Sequence, residues 1–224
     1  MSVPIRRTPA GPGPRWHRRK DARPAELLSA ALDIFAEHGF AAARLEDVAR
    51  RAGVTKGTIY LYFDDKEALF RAVVREAILP NIAQAERDVE AFSGSARALL
   101  RNFLLGWWRV IGESNLSAVP KMVIAEAAHF PSVARFYYDE VVSRGHRLIA
   151  SILERGIASG EFRPTDIPSA VRLALAPLVI AVIHKHSLYS CVREAGSSFD
   201  PRRYVETHID IFLRGLAMEP AAEG

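Results

Sequence analysis

The chain has 224 residues, of which 49% are hydrophobic and 25% are charged. These proportions are ordinary for a soluble globular protein, and they exclude both a disordered chain and a small scaffold that needs disulfide or metal support. Cys191 is the only cysteine, so no disulfide can form within the chain, as expected of a protein in the reducing cytoplasm.

Positive charge is concentrated at the N-terminus. Residues 1–24 contain seven Lys or Arg and one Asp, a net charge of +6 within a formal total of +4. We interpret residues 1–22 as a basic flexible arm, which either contacts a polyanion or only keeps the chain soluble. The arm has no apolar stretch, so it is not a signal peptide. The apolar run at residues 170–183 contains Arg172 and Pro177 and is too short to span a bilayer.

The rest of the chain has the apolar periodicity of α-helices and no convincing strand pattern. The predicted helices, in chain order, cover residues 23–39, 45–53, 54–63, 64–92 with a kink at Pro80, 95–114, 117–130, 131–160, 166–190 and 200–217. We therefore predict an all-α fold of about nine helices. Residues 23–75 form a three-helix N-terminal domain, residues 76–217 form a helical second domain, and residues 218–224 are a tail.

Residues 45–63 have the spacing of a helix-turn-helix. Ala49 lies four residues before Gly53, and Ile59 lies six residues after it. A small residue is needed where the helices cross, glycine permits a positive φ at the turn, and apolar residues fix the second helix against the first. The second helix of such a motif enters the major groove. Four of its residues are left for bases and phosphates: Lys56, Thr58, Tyr60 and Leu61.

The segment GFAAARLEDVARRAGVTKGTIYLYFDDKEALF, residues 39–70, closely resembles the N-terminal domain of TetR/AcrR-family transcriptional repressors. The positions that match the family pattern are Gly39, Phe40, Val48, Ala49, Ala52, Gly53, Val54, Gly57, Thr58, Tyr60, Phe63, Lys66, Glu67 and Leu69. The resemblance implies that Thr55, Lys56, Gly57, Thr58 and Tyr60 face DNA. It also implies that Lys66, at the start of the fourth helix, contacts a phosphate.

The chain departs from the family pattern just before the second helix, where the family usually has Thr or Ser. Ala43 and Arg44 occupy these positions, and the loss of a hydroxyl cap typically costs about 1 kcal/mol. Arg44 either replaces the lost phosphate contact with a charged one or is only solvated.

The second domain is rich in aromatic residues and contains no motif typical of an enzyme. Aromatic walls with a few polar tips suit a small apolar or aromatic effector, although the same residues also suit a plain hydrophobic core. The candidate pocket residues are Phe103, Trp107, Trp108, His129, Phe130 and Tyr137. We predict no cofactor and no metal site, since His184 and His186 are two residues apart and point to different faces of a helix.

The last two predicted helices have the composition of a subunit interface. Apolar residues cover nearly the full circumference of residues 166–190, and a helix that is apolar all round must be buried. The resemblance implies that the two long terminal helices of each subunit pair in a four-helix bundle. The predicted interface consists of Leu175, Leu178, Val182, Tyr204, His208, Ile211 and Phe212.

These features together predict a cytoplasmic, ligand-responsive repressor that binds a palindromic DNA operator as a homodimer and is released by a small effector. A two-fold dimer would place two recognition helices in successive major grooves. Two alternatives stay open: a DNA-binding protein without an effector, and a helical enzyme with a DNA-binding head.

Overall fold

The computed structural model describes residues 18–187 and 199–218, and these residues form an all-helical fold. The helices are α1 (Arg18–Ala42), α2 (Leu45–Arg51), α3 (Lys56–Tyr60), α4 (Lys66–Ala77), α5 (Leu79–Ala91), α6 (Ala96–Trp107), α7 (Ala118–Glu126), α8 (Pro131–Tyr137), α9 (Ser143–Ala158), α10 (Ile167–Ser187) and α11 (Pro201–Leu216). A π-helical turn extends α6, another joins α8 to α9, and a short 3-10 turn precedes α7. With α4–α5 and α8–α9 each counted as one kinked rod, the described ranges contain nine helices, and the predicted fold class is confirmed.

Both ends of the chain are described only in part. Helix α1 begins at Arg18, so the last residues of the predicted arm are helical, while residues 1–17 lie outside the described part of the chain. The predicted tail, apart from Met218, also lies outside it. Near the other end of α1, Gly39 has a φ of +73°, a conformation that glycine adopts without strain.

The junctions around α4 differ slightly from the sequence prediction. The helix begins at Lys66 rather than at residue 64, and Asp65 caps it, because its Oδ1 accepts a hydrogen bond from the Ala68 N–H at 2.7 Å. The break between α4 and α5 falls at Ile78. Pro80 lies in the first turn of α5, where a missing N–H costs no helical hydrogen bond.

Buried apolar side chains form two clusters, which we call the head core and the body core. The head core combines side chains of α1–α4 with five from α7 and α8: Val119, Met122, Val123, Val133 and Tyr137. The body core is formed by α6, α9, α10 and α11, with Trp108. Hydrophobic packing is therefore continuous across the predicted domain boundary at residue 75, because two helices of the second domain complete the core of the first.

Hydrogen bonds connect the start of α7, in the head core, to the end of α10, in the body core. Ser117, which is fully buried, donates its hydroxyl to the Ser114 carbonyl at 2.7 Å. Its oxygen lies 2.8 Å from His186 Nε2 and 3.3 Å from Lys185 Nζ. Lys185 also donates to the Gly112 carbonyl at 2.9 Å. We call this group of five residues the polar seam.

Helix α10 spans 21 residues and contains a window of mean hydropathy 1.8. By length and composition it could cross a membrane, so the prediction that this segment is too short was wrong. Its inner face, which includes Ala174, Leu178 and Val182, is buried in the body core, as in the central helix of a globular protein.

Candidate functional site

Helices α2 and α3 form the helix-turn-helix that the spacing predicts. Gly53 lies in the turn with a φ of +68°, and the Val54 N–H donates to the Ala49 carbonyl at 2.9 Å. Ala49 and Ile59 are buried at 1% and 0% exposure, so they form the crossing point of the two helices. A positive φ at residue 53 favours glycine because a Cβ there would clash with the backbone.

The first turn of α3 is held by threonine hydroxyls. Thr55 caps the helix, since its Oγ1 accepts from the Thr58 N–H at 3.3 Å. The two hydroxyl oxygens lie 2.9 Å apart and share a second hydrogen bond. Gly57 lies beside them with no close neighbour, because an added Cβ would come no nearer than 4.0 Å to Thr55 Oγ1. Within the described residues, the outer side of the capped first turn is therefore free of other protein atoms at Gly57, so another molecule could approach the backbone there.

Large side chains of α3 and the following turn reach solvent. Leu61 is 83% exposed, Tyr60 is 43% exposed, and the Lys56 side chain is 68% exposed. Tyr62, in the turn that follows α3, is 42% exposed. This surface provides an ammonium group, two phenols and an apolar side chain, which suit phosphates, base edges and thymine methyls. The DNA contacts of these residues stay predictions.

Glu46 contacts two of the predicted DNA-facing residues, a link that the sequence analysis missed. From the first turn of α2, its Oε1 accepts a hydrogen bond from the Tyr60 hydroxyl at 3.1 Å and lies 2.8 Å from Lys56 Nζ. The hydrogen bond from Lys56, supported by that from Tyr60, lowers the pKa of Glu46 to about 2. The sequence signal was weak, because an acidic residue in the first turn of a helix is already explained by the helix dipole.

The arginines of α2 and its N-terminus differ in their partners. Arg50 pairs with Asp47 at 2.7 Å, and Arg51 forms two hydrogen bonds with the Glu37 carboxylate at 2.9 and 2.6 Å. Arg44 occupies the N-cap position without a side-chain cap bond, as predicted from the missing hydroxyl. It is exposed and makes no ion pair within the described residues, so its guanidinium is available to a phosphate.

Lys66 has intramolecular partners instead of facing outwards as the family pattern implied. Its Nζ donates to the carbonyls of Phe40 at 2.9 Å and Ala41 at 2.8 Å, at the end of α1. The ammonium also lies 4.9 Å from the Phe40 ring centre and 5.0 Å from that of Phe130. Two of its three donors are thereby used inside the protein. The geometry favours a structural role, in which Lys66 ties α4 to the end of α1 and to Phe130, over the predicted phosphate contact.

The six predicted pocket residues do not meet in one place, so that constellation was wrong. Trp108 lies in the body core, with Phe103 and Trp107 packed against it. Phe130 and Tyr137 belong to the head core, where burial raises the pKa of the Tyr137 phenol. His129 is 75% exposed on its side chain. The error has a simple cause: helical spacing shows which residues share a face, but not which other helix that face meets.

Phe130 instead borders a shallow apolar depression between α1, α7 and α8. Its other lining residues are Phe40, Met122, Val123, Glu126, Ala127, Val133 and Ala134.

Two buried side-chain nitrogen atoms have no hydrogen-bond partner among residues 18–187 and 199–218: Trp108 Nε1 and His184 Nδ1. Trp108 is 4% exposed and packs so closely on Gly112 that an added Cβ would lie 2.2 Å from its ring. His184 stacks on Phe199 with ring centres 4.4 Å apart. No three His, Cys, Asp or Glu side chains within residues 18–187 and 199–218 are placed to hold a metal ion, and Cys191 lies outside these ranges.

The predicted dimer face is only partly available to a partner. Leu178 and Val182 are fully buried in the body core, so they cannot contact a second chain. Leu175 and Phe212 are partly buried against the same core, and His208 Nε2 donates to the Ala174 carbonyl at 3.1 Å. The side chains that do reach solvent are Leu173, Ile180, Tyr204 and Ile211. The exposed apolar side chains lie on the two predicted helices, but on a different face of α10 from the predicted one, and the dimer contact itself stays a prediction.

Two family models match the chain in succession. Residues 27–73 match bacterial regulatory proteins of the tetR family, and residues 91–189 match a tetracyclin repressor-like C-terminal domain. The first match covers α2 and α3 together with most of α1 and α4, and the second covers most of the body.

Relatives with assigned names are similar along most of the chain. The HTH-type transcriptional repressor KstR2 of Rhodococcus jostii is 31% identical over 201 residues, which cover 88% of this chain and 93% of that protein. The fatty acid metabolism regulator protein of Bacillus subtilis is 25% identical over 146 residues, which cover 65% and 74% of the two chains.

Solved structures share the fold. FadR of Bacillus subtilis in complex with stearoyl-CoA superposes with a TM-score of 0.64 at 20% identity, covering 86% of this chain and 98% of that one. The ketosteroid transcriptional regulator KstR2 of Mycobacterium tuberculosis also gives a TM-score of 0.64, at 24% identity, covering 88% and 96%.

Proposed function

Because the chain belongs to the TetR family of transcriptional regulators, we propose that it is a ligand-responsive repressor that binds a palindromic operator as a homodimer in the cytoplasm. Its relatives are transcriptional regulators, so the chain is a regulator and the reading as a helical enzyme is discarded. The observation that carries the DNA-binding role is the capped, solvent-facing α3 held behind the turn at Gly53.

The homodimer is supported by an apolar face that the folded chain leaves uncovered. Leu173 and Ile180 on α10 are 60% and 54% exposed, and they lie on one side of the helix because they are two turns apart. Ile211 on α11 is 66% exposed, and α11 packs beside α10. Large apolar side chains grouped on adjacent helices mark a contact surface. A second copy of the chain is the cover that a palindromic site requires.

The substitution Ile180→Asp tests this interface, since it places a charge in the centre of the proposed contact. We expect a monomer in sedimentation velocity at micromolar concentration and loss of cooperative binding to a palindromic duplex. Ile124→Asp is the matched control, because Ile124 is 56% exposed on α7 and lies outside this face. If both variants sediment as the same oligomer as the parent protein, the proposed dimer face is wrong.

For the effector, we propose a large apolar molecule that carries a carbonyl group and binds within the body core. Its carbonyl oxygen would accept from the buried indole N–H of Trp108, which has no acceptor in the described part of the chain. An unsatisfied buried donor costs about 1–3 kcal/mol, so a ligand that supplies the acceptor recovers that cost. Stearoyl-CoA, bound by the FadR neighbour, joins an apolar acyl chain to a thioester carbonyl, and the KstR2 neighbour is named for ketosteroids, which are apolar ketones.

Release from DNA follows from linkage. An effector lowers operator affinity only if it prefers an arrangement in which the two recognition helices are wrongly spaced. The polar seam joins the body core, where we place the effector, to α7, which completes the head core. A coupling free energy of about 1–3 kcal/mol would reduce operator affinity about 5- to 150-fold.

Two probes test the effector class: stearoyl-CoA and progesterone, a ketosteroid. The DNA is a duplex selected from a randomised library with the full-length parent chain. At least one probe is expected to release the duplex, and Trp108→Phe should weaken its binding about fivefold or more by removing the N–H. Trp107→Phe is the control, since Trp107 is only partly buried. If neither probe binds, the chain is better described as a DNA-binding protein without an effector of this class.

A further inference from the structure

The surface that carries the proposed DNA contacts contains one acidic side chain among its cations. Glu46 Oε1 is shared by the Lys56 ammonium at 2.8 Å and the Tyr60 hydroxyl at 3.1 Å. Lys56 and Tyr60 are the first and last residues of α3, one helical turn apart. The Glu46 carboxylate, on α2, therefore contacts both ends of the recognition helix. The three side chains remain 36–68% exposed, so they form this group at the surface that would face DNA.

This carboxylate changes what Lys56 can do on DNA. An ammonium bound to a carboxylate is electrically neutral as a pair, so a backbone phosphate must compete with Glu46 for it. The carboxylate itself repels phosphates, by about 1 kcal/mol at 4 Å even in water. Both effects oppose binding to an arbitrary duplex, whose attraction for proteins comes almost entirely from phosphates.

A hydrogen-bond donor on a base edge would reverse this penalty. Carboxylates in the major groove accept from the exocyclic amino group of cytosine, and the amino group of adenine is the other donor exposed there. On a site that offers such a group beneath Glu46, the carboxylate gains a partner, and Lys56 and Tyr60 are already positioned beside it. On any other site it is left facing acceptors or phosphates.

We infer that Glu46 is a specificity-determining residue that positions Lys56 and Tyr60, opposes binding to non-cognate DNA, and selects a base with an exocyclic amino group. Lys56 and Tyr60 are the contacting residues, while Glu46 acts both through them and through its own contact with the base. The inference rests on the DNA-facing role proposed above for α3.

The test compares the full-length parent with Glu46→Gln on two duplexes, the library-selected duplex and a scrambled duplex of the same composition. For the variant we expect binding to the scrambled duplex to tighten about fivefold, the equivalent of one removed charge repulsion. The slope of log K against log salt should steepen by about 0.9 for each subunit, because a released Lys56 gains a phosphate contact. The ratio of specific to scrambled affinity should fall.

A double variant shows whether the effect runs through the lysine. In a Lys56→Met background, Glu46→Gln should no longer steepen the salt slope, because no ammonium is released. Glu154→Gln is the matched control: it removes the same charge from an exposed position of α9, in the body, and should change neither affinity. Circular dichroism melting of each variant establishes that it is folded.

The selected base is tested on the duplex. Each cytosine or adenine of the selected half-site is replaced in turn by an analogue that lacks the exocyclic amino group. One position should weaken binding of the parent but not of Glu46→Gln. Cytosine or adenine at that position identifies the donor.

Unchanged or weakened scrambled-duplex binding by Glu46→Gln would overturn the inference, as would the lack of any amino-dependent position. The failure of the proposed function looks different. If Lys56→Met and Tyr60→Ala each leave the affinity of the parent for the selected duplex unchanged, α3 does not face DNA, and the role of the helix itself is wrong.

Discussion

The head core and the body core differ in the type of side chain that fills them. Aromatic rings interlock in the head core: Phe40 and Phe70 meet edge to face with centres 5.8 Å apart, and Phe40 and Phe130 do so at 4.7 Å. The fully buried residues of the body core are mainly Leu, Ile, Val and Ala, with Phe162 as the aromatic exception below 2% exposure. Edge-to-face ring pairs have preferred geometries, whereas aliphatic cores tolerate exchange of similar volumes.

This difference suits the two tasks proposed for the molecule. A recognition helix must keep its position to within a fraction of a base pair. The packed rings of α1 and α4 hold the helix-turn-helix rigidly. A core that admits an effector must change its packing at little cost, and aliphatic side chains allow this. The polar seam connects the two cores by hydrogen bonds. A change in the packing of the body core would therefore move the start of α7 through these bonds.

The strongest test removes a ring from the head core. Phe70, which is fully buried, packs edge to face on Phe35 at 6.1 Å as well as on Phe40. Phe70→Ala should destabilise the protein by about 3–5 kcal/mol and abolish DNA binding at temperatures where the parent binds. Urea denaturation gives the first quantity and duplex binding the second.

The same experiment on the body core should give a much smaller effect for an exchange of similar volume. Leu153 is fully buried between α9 and its neighbours, and Leu153→Met should cost less than about 1.5 kcal/mol while operator affinity is preserved. A conservative Phe70→Leu variant that is tolerated as well as Leu153→Met would remove the contrast between the two cores.

An intermediate effect is expected at Lys66, whose ammonium group links α4 to the end of α1 within the head core. Lys66→Met removes hydrogen bonds to the Phe40 and Ala41 carbonyls, which should cost about 1–3 kcal/mol of stability. The salt slope of DNA binding should stay that of the parent, because the ammonium is used inside the protein. Lys56→Met in a Glu46→Gln background provides the comparison: the freed ammonium contacts a phosphate there, so its removal should lower the slope by about 0.9 for each subunit. An equal fall for Lys66→Met would restore the phosphate contact implied by the family pattern.

The smallest expected effect is the pH response of the polar seam. Burial, followed by the nearby charges of Lys185 and Lys121, lowers the pKa of His186. A histidine with a lowered pKa in the folded state stays neutral while the unfolded chain takes up a proton. Its contribution to stability is therefore complete above the ordinary histidine range and is lost as pH falls through that range.

The matched substitution is His186→Gln, which keeps a donor for Ser117 but does not titrate. Between pH 8 and pH 5.5, the variant should lose less unfolding free energy than the parent, by an amount smaller than the effect of Lys66→Met. Chemical denaturation at the two pH values measures the difference. His146 and His208, whose pKa values are also lowered by burial, contribute equally to both proteins and cancel. A parent and variant with the same pH dependence would show that the seam does not respond to protonation.

Local spacing was enough to predict the DNA-binding unit. Two helices joined by a short turn require a small residue at the crossing, a positive φ in the turn and a buried apolar residue after it. Ala49, Gly53 and Ile59 meet these requirements within eleven consecutive residues. Contacts across that turn were harder to predict. The link from Glu46 to Tyr60 depends on the angle between α2 and α3, and no periodicity shows that angle.

The body was predictable as helices but not as a site. Its aromatic residues were read as one wall because they lie close in the sequence, yet Trp108 and Phe130 enter different cores. On α10, apolar residues surround the helix, so composition could not say that Leu178 faces inwards and Ile180 outwards. Both errors have the same physical origin: a helical face is defined by sequence, but its partner is chosen by tertiary packing.

The sharing of the head core with α7 and α8 limits how the protein can be recombined with its relatives. Val119, Met122 and Val133 cover the same rings that α1 and α4 bury. A chimaera that joins the first 75 residues to the body of another family member would place foreign side chains against Phe40 and Phe70. The exchangeable unit is therefore discontinuous in sequence, and a functional hybrid must carry α7 and α8 together with the head.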